Sequence, residues 1–149
     1  MELRDTIEDD LPVFFANQQD PEAVRMAAFP SRGEEAFFAH WRGNVLGHPE
    51  NRAKTIVVDG SVAGHVVSWT NEGKRLVGYW LGRTYWGRGI ASEALAEFVA
   101  RHETTRPLHA FVATGNAASI RVLAKCGFRP TGERETGADG VEDMLVELR

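Results

Sequence analysis

The sequence lacks the features that would place the protein in a membrane or in an oxidising compartment. It contains one cysteine, Cys126, in 149 residues, which excludes an intrachain disulfide. No apolar run approaches the roughly 20 residues that a membrane-spanning helix needs. The first residues, Met1-Glu2-Leu3-Arg4-Asp5, are charged and lack the apolar stretch of a signal peptide. We therefore expect a cytoplasmic protein without a membrane partner.

An excess of positive charge is also missing. The chain has 17 Lys and Arg residues against 21 Asp and Glu, a net charge of -4 and a pI of about 5.7. Proteins that bind nucleic acid usually carry a basic face and have a high pI. The basic residues are scattered along this chain, so we expect no nucleic-acid partner.

The hydrophobic content, 43% of the residues, is sufficient for one core, and we expect a single domain over residues 1–149. Periodicity and turn residues predict helices at 11–16, 22–28, 35–41, 90–101 and 116–125, and strands at 54–58, 61–70, 75–81, 107–113 and 141–148. This order predicts an α+β fold with a mixed, mostly antiparallel sheet and helices on both faces.

Polar residues before the predicted helices indicate where the helices begin. Asp9-Asp10 is placed to cap the first helix, and Pro12 suits its first turn. Ser31 precedes Glu34 by three residues, which is the spacing of a capping box. Both helix starts are therefore predicted from local spacing alone.

A glycine-rich turn separates the strand that ends at Leu81 from the helix that begins near Ile90. Gly87 and Gly89 let the backbone approach a ligand without a Cβ in the way. The amides from Arg88 to Ser92 then point out of the helix N-terminus, which favours binding of an anion such as a phosphate. The turn is neither a P-loop nor a dinucleotide fingerprint, because the required Gly-Lys-Ser/Thr and third glycine are missing.

The segments around this turn give it a family resemblance. Gly78-Tyr79-Trp80-Leu81 is followed by Tyr85-Trp86-Gly87-Arg88-Gly89-Ile90-Ala91-Ser92-Glu93-Ala94-Leu95. Together they resemble the coenzyme A-binding motif of the GNAT superfamily of N-acetyltransferases, whose pattern is Gln/Arg-x-x-Gly-x-Gly/Ala. Gly89 and Ala91 match it, while Trp86 stands where Gln or Arg is usual. With tryptophan at this position, the segment resembles the branch of ribosomal-protein N-terminal (alanine/serine) acetyltransferases.

A second motif supports the resemblance. The segment from Asn116-Ala117-Ala118-Ser119 to Gly127-Phe128 looks like the superfamily's Asn-x-x-Ser/Ala…Gly-Phe pattern. Gly127-Phe128 has its own structural explanation, because a left-handed Gly ends a helix and the following Phe packs back on Leu123. The close resemblance runs from Leu76 to Phe128.

The resemblance implies a function and a set of binding residues. It implies transfer of the acetyl group of acetyl-CoA to a primary amine, on a protein or peptide N-terminus or on a small molecule, by direct transfer in a ternary complex without a metal. The residues that it assigns to acetyl-CoA are Leu81, Trp86, Gly87, Arg88, Gly89, Ile90, Ala91, Ser92 and Asn116. A plain helix N-cap is the alternative role for Asn116.

The group that assists the leaving thiol departs from the family pattern. Many members carry a tyrosine immediately after the residue that matches Leu123, and here that position is Ala124. We expect Ser119 to substitute, since its hydroxyl can hydrogen-bond the departing sulfur; a surface serine in the first helical turn is the alternative. Cys126 is expected to pack rather than to act as a nucleophile.

The general base and the acceptor site are less defined. His65, His109, Glu72, Asp139 and Glu142 are the candidate bases, and Trp41 and Trp80 are candidates for lining the acceptor site. Two other functions stay open. One is a non-catalytic module that senses acyl-CoA, which Ala124 favours, and the other is a regulator that binds a nucleotide or phosphate.

Overall fold

The computed structural model describes residues 1–27, 32–137 and 140–149. The strands are β1 (Glu2–Asp5), β2 (Arg52–Val58), β3 (Ser61–Asn71), β4 (Lys74–Leu81), β5 (Leu108–Ala113), β6 (Arg129–Thr136) and β7 (Glu142–Leu148). The helices are α1 (Leu11–Gln18), α2 (Pro21–Ala27), α3 (Glu34–His40), α4 (Ile90–Glu97) and α5 (Ala117–Lys125). Helices α3 and α4 continue as π-helical turns at Trp41–Leu46 and Phe98–His102.

The strands form one sheet in the order β1-β2-β3-β4-β5-β7-β6. Neighbouring strands are antiparallel except for β4 and β5, which run in parallel. The prediction of a mixed, mostly antiparallel sheet is therefore confirmed. The crossover between β4 and β5 contains α4, as a parallel connection requires.

Strands β2, β3 and β4 form the predicted meander. In its two tight turns, Asp59 and Gly60 have φ of 50° and 80°, and Glu72 and Gly73 have φ of 50° and 78°. Positive φ at both central residues is the geometry of a type I′ hairpin turn. Between the turns, Gly64 lies against the end of β4, where a Cβ would stand 2.1 Å from the carbonyl oxygen of Trp80.

Helices cover both faces of the sheet, as predicted. On one face, α4 and α5 pack on a large core that includes Phe98, Leu123 and Phe128. On the other face, α1 and α3 form an aromatic core whose buried members are Leu11, Phe14, Phe37 and Trp41. None of the helices within the described ranges is long and apolar enough to cross a membrane.

Two edge strands and two helix caps differ from the expectation. β1 and β6 were not predicted, because neither segment alternates apolar and polar residues. Glu2–Asp5 is largely charged, and Arg129–Thr136, which is exposed throughout, consists mainly of polar and charged residues. The side chain of Asp10 does not cap α1. It is buried and accepts hydrogen bonds from Arg4 (2.8 Å, from both guanidinium Nη atoms) and from Thr55 Oγ1 (2.7 Å). The prediction that Ser31 caps the next helix is also wrong, because α3 begins at Glu34 with Gly33 as its N-cap; Ser31 itself lies outside the described residues.

Candidate functional site

The two parallel strands separate along their length. Over the described residues, the ladder between β4 and β5 consists of one pair, Leu76 with His109. β4 then runs on to Leu81 and β5 to Ala113 without further pairing. The result is a gap between their carboxyl ends. β4 leads through a loop into α4, and α5 begins shortly after the end of β5.

The backbone of Leu81 faces this gap. The amide of Gly82 donates to the carbonyl of Ala63 on β3 at 2.8 Å. In a trans peptide the C=O and the following N–H point in opposite directions, so the carbonyl of Leu81 points away from β3. In an extended strand the N–H and C=O of one residue point to the same side, so the N–H of Leu81 does the same. Both groups of Leu81 therefore point away from β3. Its carbonyl accepts a hydrogen bond from Trp86 Nε1 at 2.9 Å, which ties the following loop to the strand end.

The loop from Trp86 to Gly89 opens onto solvent before α4. Gly87 and Gly89 are exposed, with φ of 73° and 75°, and a Cβ at either position would meet no atom within 4 Å. Their conformation favours glycine, while the space next to them is open. Gly89 is the N-cap of α4, and its carbonyl accepts from the amide of Glu93 at 3.1 Å. The amides before Glu93 have no intrahelical acceptor, so they are available to an anion.

The N-terminus of α5 presents Asn116 and Ser119 near the end of β5. Asn116 is the N-cap, and its Oδ1 accepts from the backbone amide of Ser119 at 3.2 Å. In the part of the chain that the structure describes, no hydrogen bond is formed by Asn116 Nδ2, which can therefore donate to a ligand. The cap role and the ligand role of Asn116 are compatible.

Ser119 also contacts a tyrosine that the sequence did not single out. Its Oγ lies 2.9 Å from Tyr79 Oη on β4. Burial raises the pKa of the Tyr79 hydroxyl, and the hydrogen bond with Ser119 offsets this only in part. Tyr79 is therefore protonated near neutral pH. The pair supplies two hydroxyl groups near the N-terminus of α5, whereas Ala124, in the last turn of that helix, is exposed and carries no hydroxyl.

Cys126 and the end of α5 behave as structural elements. Burial raises the pKa of the Cys126 thiol, which disfavours the nucleophilic thiolate. Gly127 has a φ of 95° and donates to Ala124 O, while the amide of Phe128 donates to Leu123 O at 3.0 Å. This is the Schellman motif, and Leu123 and Phe128 share the larger core as predicted.

Trp80 and His65 lie on the opposite face of the sheet from Tyr79. They are register partners across β3 and β4, so their side chains share one face. Trp80 is half-buried and its Nε1 donates to Asn17 O in α1 at 3.2 Å. Trp41 is 3% exposed and packs against Phe14 and His65. The burial of Trp41 favours a packing role over contact with an acceptor.

The candidate bases are scattered rather than gathered. His65 is buried between aromatic rings, and His109 Nε2 pairs with Glu147 at the closed end of the gap (3.2 Å). Glu72 occupies a turn at the start of β4, and Glu142 is ion-paired with Arg134 (2.8 Å). Asp139 lies outside the described residues.

One further carboxylate, Asp143, lies at the open end of the gap. It is the register partner of Ala113, the last residue of β5, and is half-buried. Its side chain shares the face of Ala113, opposite the core that contains Val112 and Met144. Trp80 and Asp143 thus lie on the same sheet face, on opposite sides of the gap. The register of β7, which the sequence does not reveal, is what places Asp143 there.

The family model for the acetyltransferase (GNAT) domain matches residues 1–129. The chain belongs to this acetyltransferase family, and the protein is an acyltransferase; enzymes of the family use acetyl-CoA. Among curated proteins, none matches the chain significantly. No group of three or more His, Cys, Asp or Glu side chains in the described ranges is arranged to hold a metal ion.

Solved structures share the fold over nearly the whole chain. A GNAT-family acetyltransferase from Bacillus anthracis is 17% identical, with a TM-score of 0.79 and coverage of 98% of this chain and 92% of that chain. A ribosomal-protein-alanine N-acetyltransferase from Brucella melitensis is 21% identical, with a TM-score of 0.78 and coverage of 99% and 98%. An aminoglycoside acetyltransferase in complex with coenzyme A is 17% identical, with a TM-score of 0.77 and coverage of 99% and 94%.

Proposed function

We propose that the protein transfers the acetyl group of acetyl-CoA to a primary amine, by direct transfer in a ternary complex. The observation that carries this proposal is the gap between β4 and β5, which opens beside the exposed Gly87–Gly89 loop at the N-terminus of α4. A gap between two strands can accommodate the extended pantetheine arm of coenzyme A, and the adjacent amides of the helix N-terminus can bind its pyrophosphate. A site for a nucleotide alone would not need the gap.

The residues of the gap suit the parts of acetyl-CoA. The amides from Arg88 to Ser92 would hold the pyrophosphate, together with the positive end of the α4 dipole. The N–H of Leu81 and Asn116 Nδ2 would contact the arm from the two sides of the gap. Trp86 would act through the loop, since its indole nitrogen is already bonded to Leu81 O. Ile90 is buried and would contribute through its backbone.

The transfer step needs a neutral amine, a stabilised carbonyl oxygen and an assisted leaving thiolate. The Leu81 N–H at the gap can polarise the carbonyl, as an oxyanion-hole donor does. Ser119 can donate a hydrogen bond to the departing sulfur. Asp143 is placed to accept the proton of an amine that arrives on the Trp80 face, since it lies beside the end of β5. The carbon–nitrogen bond forms, the carbon–sulfur bond breaks, and the proton that the amine loses balances the one that the thiol gains.

A peptide N-terminus is the acceptor class that these groups serve best. Neutralising a lysine-like amine with a pKa near 10.4 costs about 4.6 kcal/mol at pH 7, whereas an α-amine near 7.7–8.0 costs about 1 to 1.4 kcal/mol. A single carboxylate is a sufficient base for the second amine. The resemblance of the Trp86 segment to the branch of ribosomal-protein N-terminal acetyltransferases supports the same acceptor class. Polyamines, aminoglycosides and amino acids are the competing acceptors.

Calorimetry with coenzyme A tests the binding half of the proposal. We expect Gly89→Glu to abolish binding, because it places a negative charge among the phosphate-binding amides. Gly73→Glu is the matched control, since Gly73 also has positive φ (78°) and open space around its Cβ position but lies at the other end of β4. Absence of binding by the wild-type protein, or equal binding by both variants, would refute the site.

An acceptor screen tests the catalytic half. The wild-type protein is incubated with acetyl-CoA and a panel of peptides, polyamines, aminoglycosides and amino acids, and thiol release and product mass are recorded. We expect acetylated product with one or more peptide α-amines. Coenzyme A binding without turnover on any amine would support a sensing module instead, and binding of a nucleotide in preference to coenzyme A would support a phosphate-binding regulator.

A further inference from the structure

We propose that Tyr79 is a positioning residue for the acetyl-transfer step, which holds the Ser119 hydroxyl in the orientation that donates to the departing sulfur. The inference rests on the proposed function and adds to it a residue from the sheet. Tyr79 would thereby supply from β4 the phenol that is missing from α5 at Ala124.

The first argument is placement. Tyr79 alternates with Val77 and Leu81 on the face of β4 that meets α5, and it packs against the larger core. Leu81, two residues later, is the end of the strand at the gap. The Tyr79 hydroxyl reaches Ser119 Oγ at 2.9 Å across 40 residues of sequence. The pair therefore joins β4, which borders the gap, to α5, which begins beyond the end of β5.

The second argument is the direction of the hydrogen bond. A serine hydroxyl rotates freely and donates one proton, which can point either to Tyr79 or into the gap. Burial raises the pKa of Tyr79, so its proton is present and can be donated to Ser119 Oγ. When Tyr79 donates, the Ser119 proton is left to point elsewhere. A hydroxyl that accepts one hydrogen bond also becomes a better donor in the next.

The chemistry requires no additional reagent. As the tetrahedral intermediate collapses, the electron pair of the carbon–sulfur bond moves to sulfur. Ser119 donates a hydrogen bond to this thiolate, and Tyr79 donates one to Ser119, and both side chains keep their protons. The thiol takes up a proton from water, which balances the one that the amine released.

A binding experiment tests the pair without relying on turnover. Calorimetry at pH 9, where part of the thiol of coenzyme A is ionised, compares coenzyme A with an analogue that lacks the sulfur, desulfo-coenzyme A. We expect the wild-type protein to prefer coenzyme A by about tenfold, because the bond is charge-assisted. Tyr79→Phe should lower this preference to about threefold, and Ser119→Ala should remove it. A wild-type protein without preference, or a Tyr79→Phe variant with the full preference, would overturn the inference.

Steady-state kinetics of thiol release provide the second readout. Tyr79→Phe keeps the ring and should lower kcat about five- to tenfold with an unchanged KM for acetyl-CoA. In the Ser119→Ala background the same change should alter kcat less than about twofold, whereas Ser119→Thr, which retains a hydroxyl, should keep the dependence on Tyr79. Equal losses in all backgrounds would show that Tyr79 serves folding only. If the wild-type protein acetylates no amine, the proposed function fails, and the binding comparison still decides the role of Tyr79.

Discussion

Trp86 Nε1 donates a hydrogen bond to the carbonyl oxygen of Leu81, and this bond closes the loop between β4 and α4. The loop carries the exposed glycines, while the strand end carries the N–H that faces the gap. The position where the family usually has Gln or Arg is thus occupied by a side chain that acts within the protein. A charged or amide side chain there would remain available to a phosphate, whereas the indole fixes the loop.

Replacing Trp86 by Phe should weaken coenzyme A binding. The ring still packs against the core, but the bond to Leu81 O is lost and the loop is less restrained. We expect the Kd for coenzyme A to rise about two- to tenfold, measured by calorimetry. Trp69→Phe is the control, because Trp69 is also half-buried and lies against Gly78 on the opposite face of the sheet. A similar loss in both variants would mean that the bond is irrelevant to the site.

Replacing Asp143 by Asn should impair proton removal from the acceptor. A positioned general base contributes at least about 100-fold, so we expect a loss of this order in kcat/KM at pH 7. The loss should shrink at a pH above the pKa of the amine, where the acceptor is neutral without assistance. Glu142→Gln removes the adjacent carboxylate, which pairs with Arg134, and should have little effect. A greater loss of kcat/KM in Glu142→Gln than in Asp143→Asn would identify Glu142, and not Asp143, as the base.

The parts of the fold that the sequence predicted are those with local signals. The hairpin turn Asp59-Gly60, the Asn116 cap and the Gly127-Phe128 end are each set by neighbours within a few residues. Helix α4 follows from its apolar spacing and the glycine before it. These signals do not depend on what the elements pack against, which is why they were predictable.

The parts that were missed depend on distant partners. β6 contains Pro130 and Gly132 and is exposed throughout, so it has no apolar alternation; it forms because an edge position on β7 tolerates both. Asp10 was predicted to cap a helix, but its carboxylate accepts hydrogen bonds from Arg4 on β1 and Thr55 on β2. Tyr79 is placed beside Ser119 by the packing of α5 on the sheet, and Asp143 is placed beside Ala113 by the register of β7 on β5; neither placement can be read from the sequence.

Removing Arg75 should destabilise the protein through a buried carboxylate. Glu103 is 1% exposed and accepts from Ser68 Oγ (2.6 Å) and Arg75 Nε (2.8 Å). Burial alone would raise the pKa of Glu103, but these hydrogen bonds outweigh it and the pKa is lowered. Without Arg75 the charge is left with the more distant Arg52 at 3.7 Å. We expect Arg75→Met to reduce the free energy of unfolding by about 3 kcal/mol.

The exposed pair Arg134–Glu142 is a matched control for this effect. Its N–O distance is also 2.8 Å, but roughly half of each side chain is exposed. We expect Arg134→Met to cost less than about 1 kcal/mol. Urea denaturation at pH 7 measures both variants. Equal costs would show that burial does not determine the strength of the Glu103 pair.

The last prediction concerns His65 and acid. His65 is buried, its ring nitrogens have no hydrogen-bond partner among the residues that the structure describes, and burial lowers its pKa to about 3. Below the unfolded pKa of about 6.5, the unfolded chain takes up a proton that the folded protein does not. The stability contributed by neutral His65 is therefore fully present well above pH 6.5 and declines as the pH falls toward 3. The loss is about 2 kcal/mol between pH 7 and pH 5.

His65→Leu should remove most of this pH dependence, because leucine takes up no proton in either state. At pH 7 the variant should be at least as stable as the wild type, since two buried nitrogens without partners are replaced by apolar groups. Burial also lowers the pKa of His40, so His40→Leu is the comparison and should leave most of the slope in place. The free energy of unfolding is measured from denaturation curves between pH 5 and pH 7. This range isolates the histidine, because the pKa values of Asp10 and Glu103 are lowered and these carboxylates titrate mainly below it. A slope unchanged in His65→Leu would mean that the ring is protonated in the folded state.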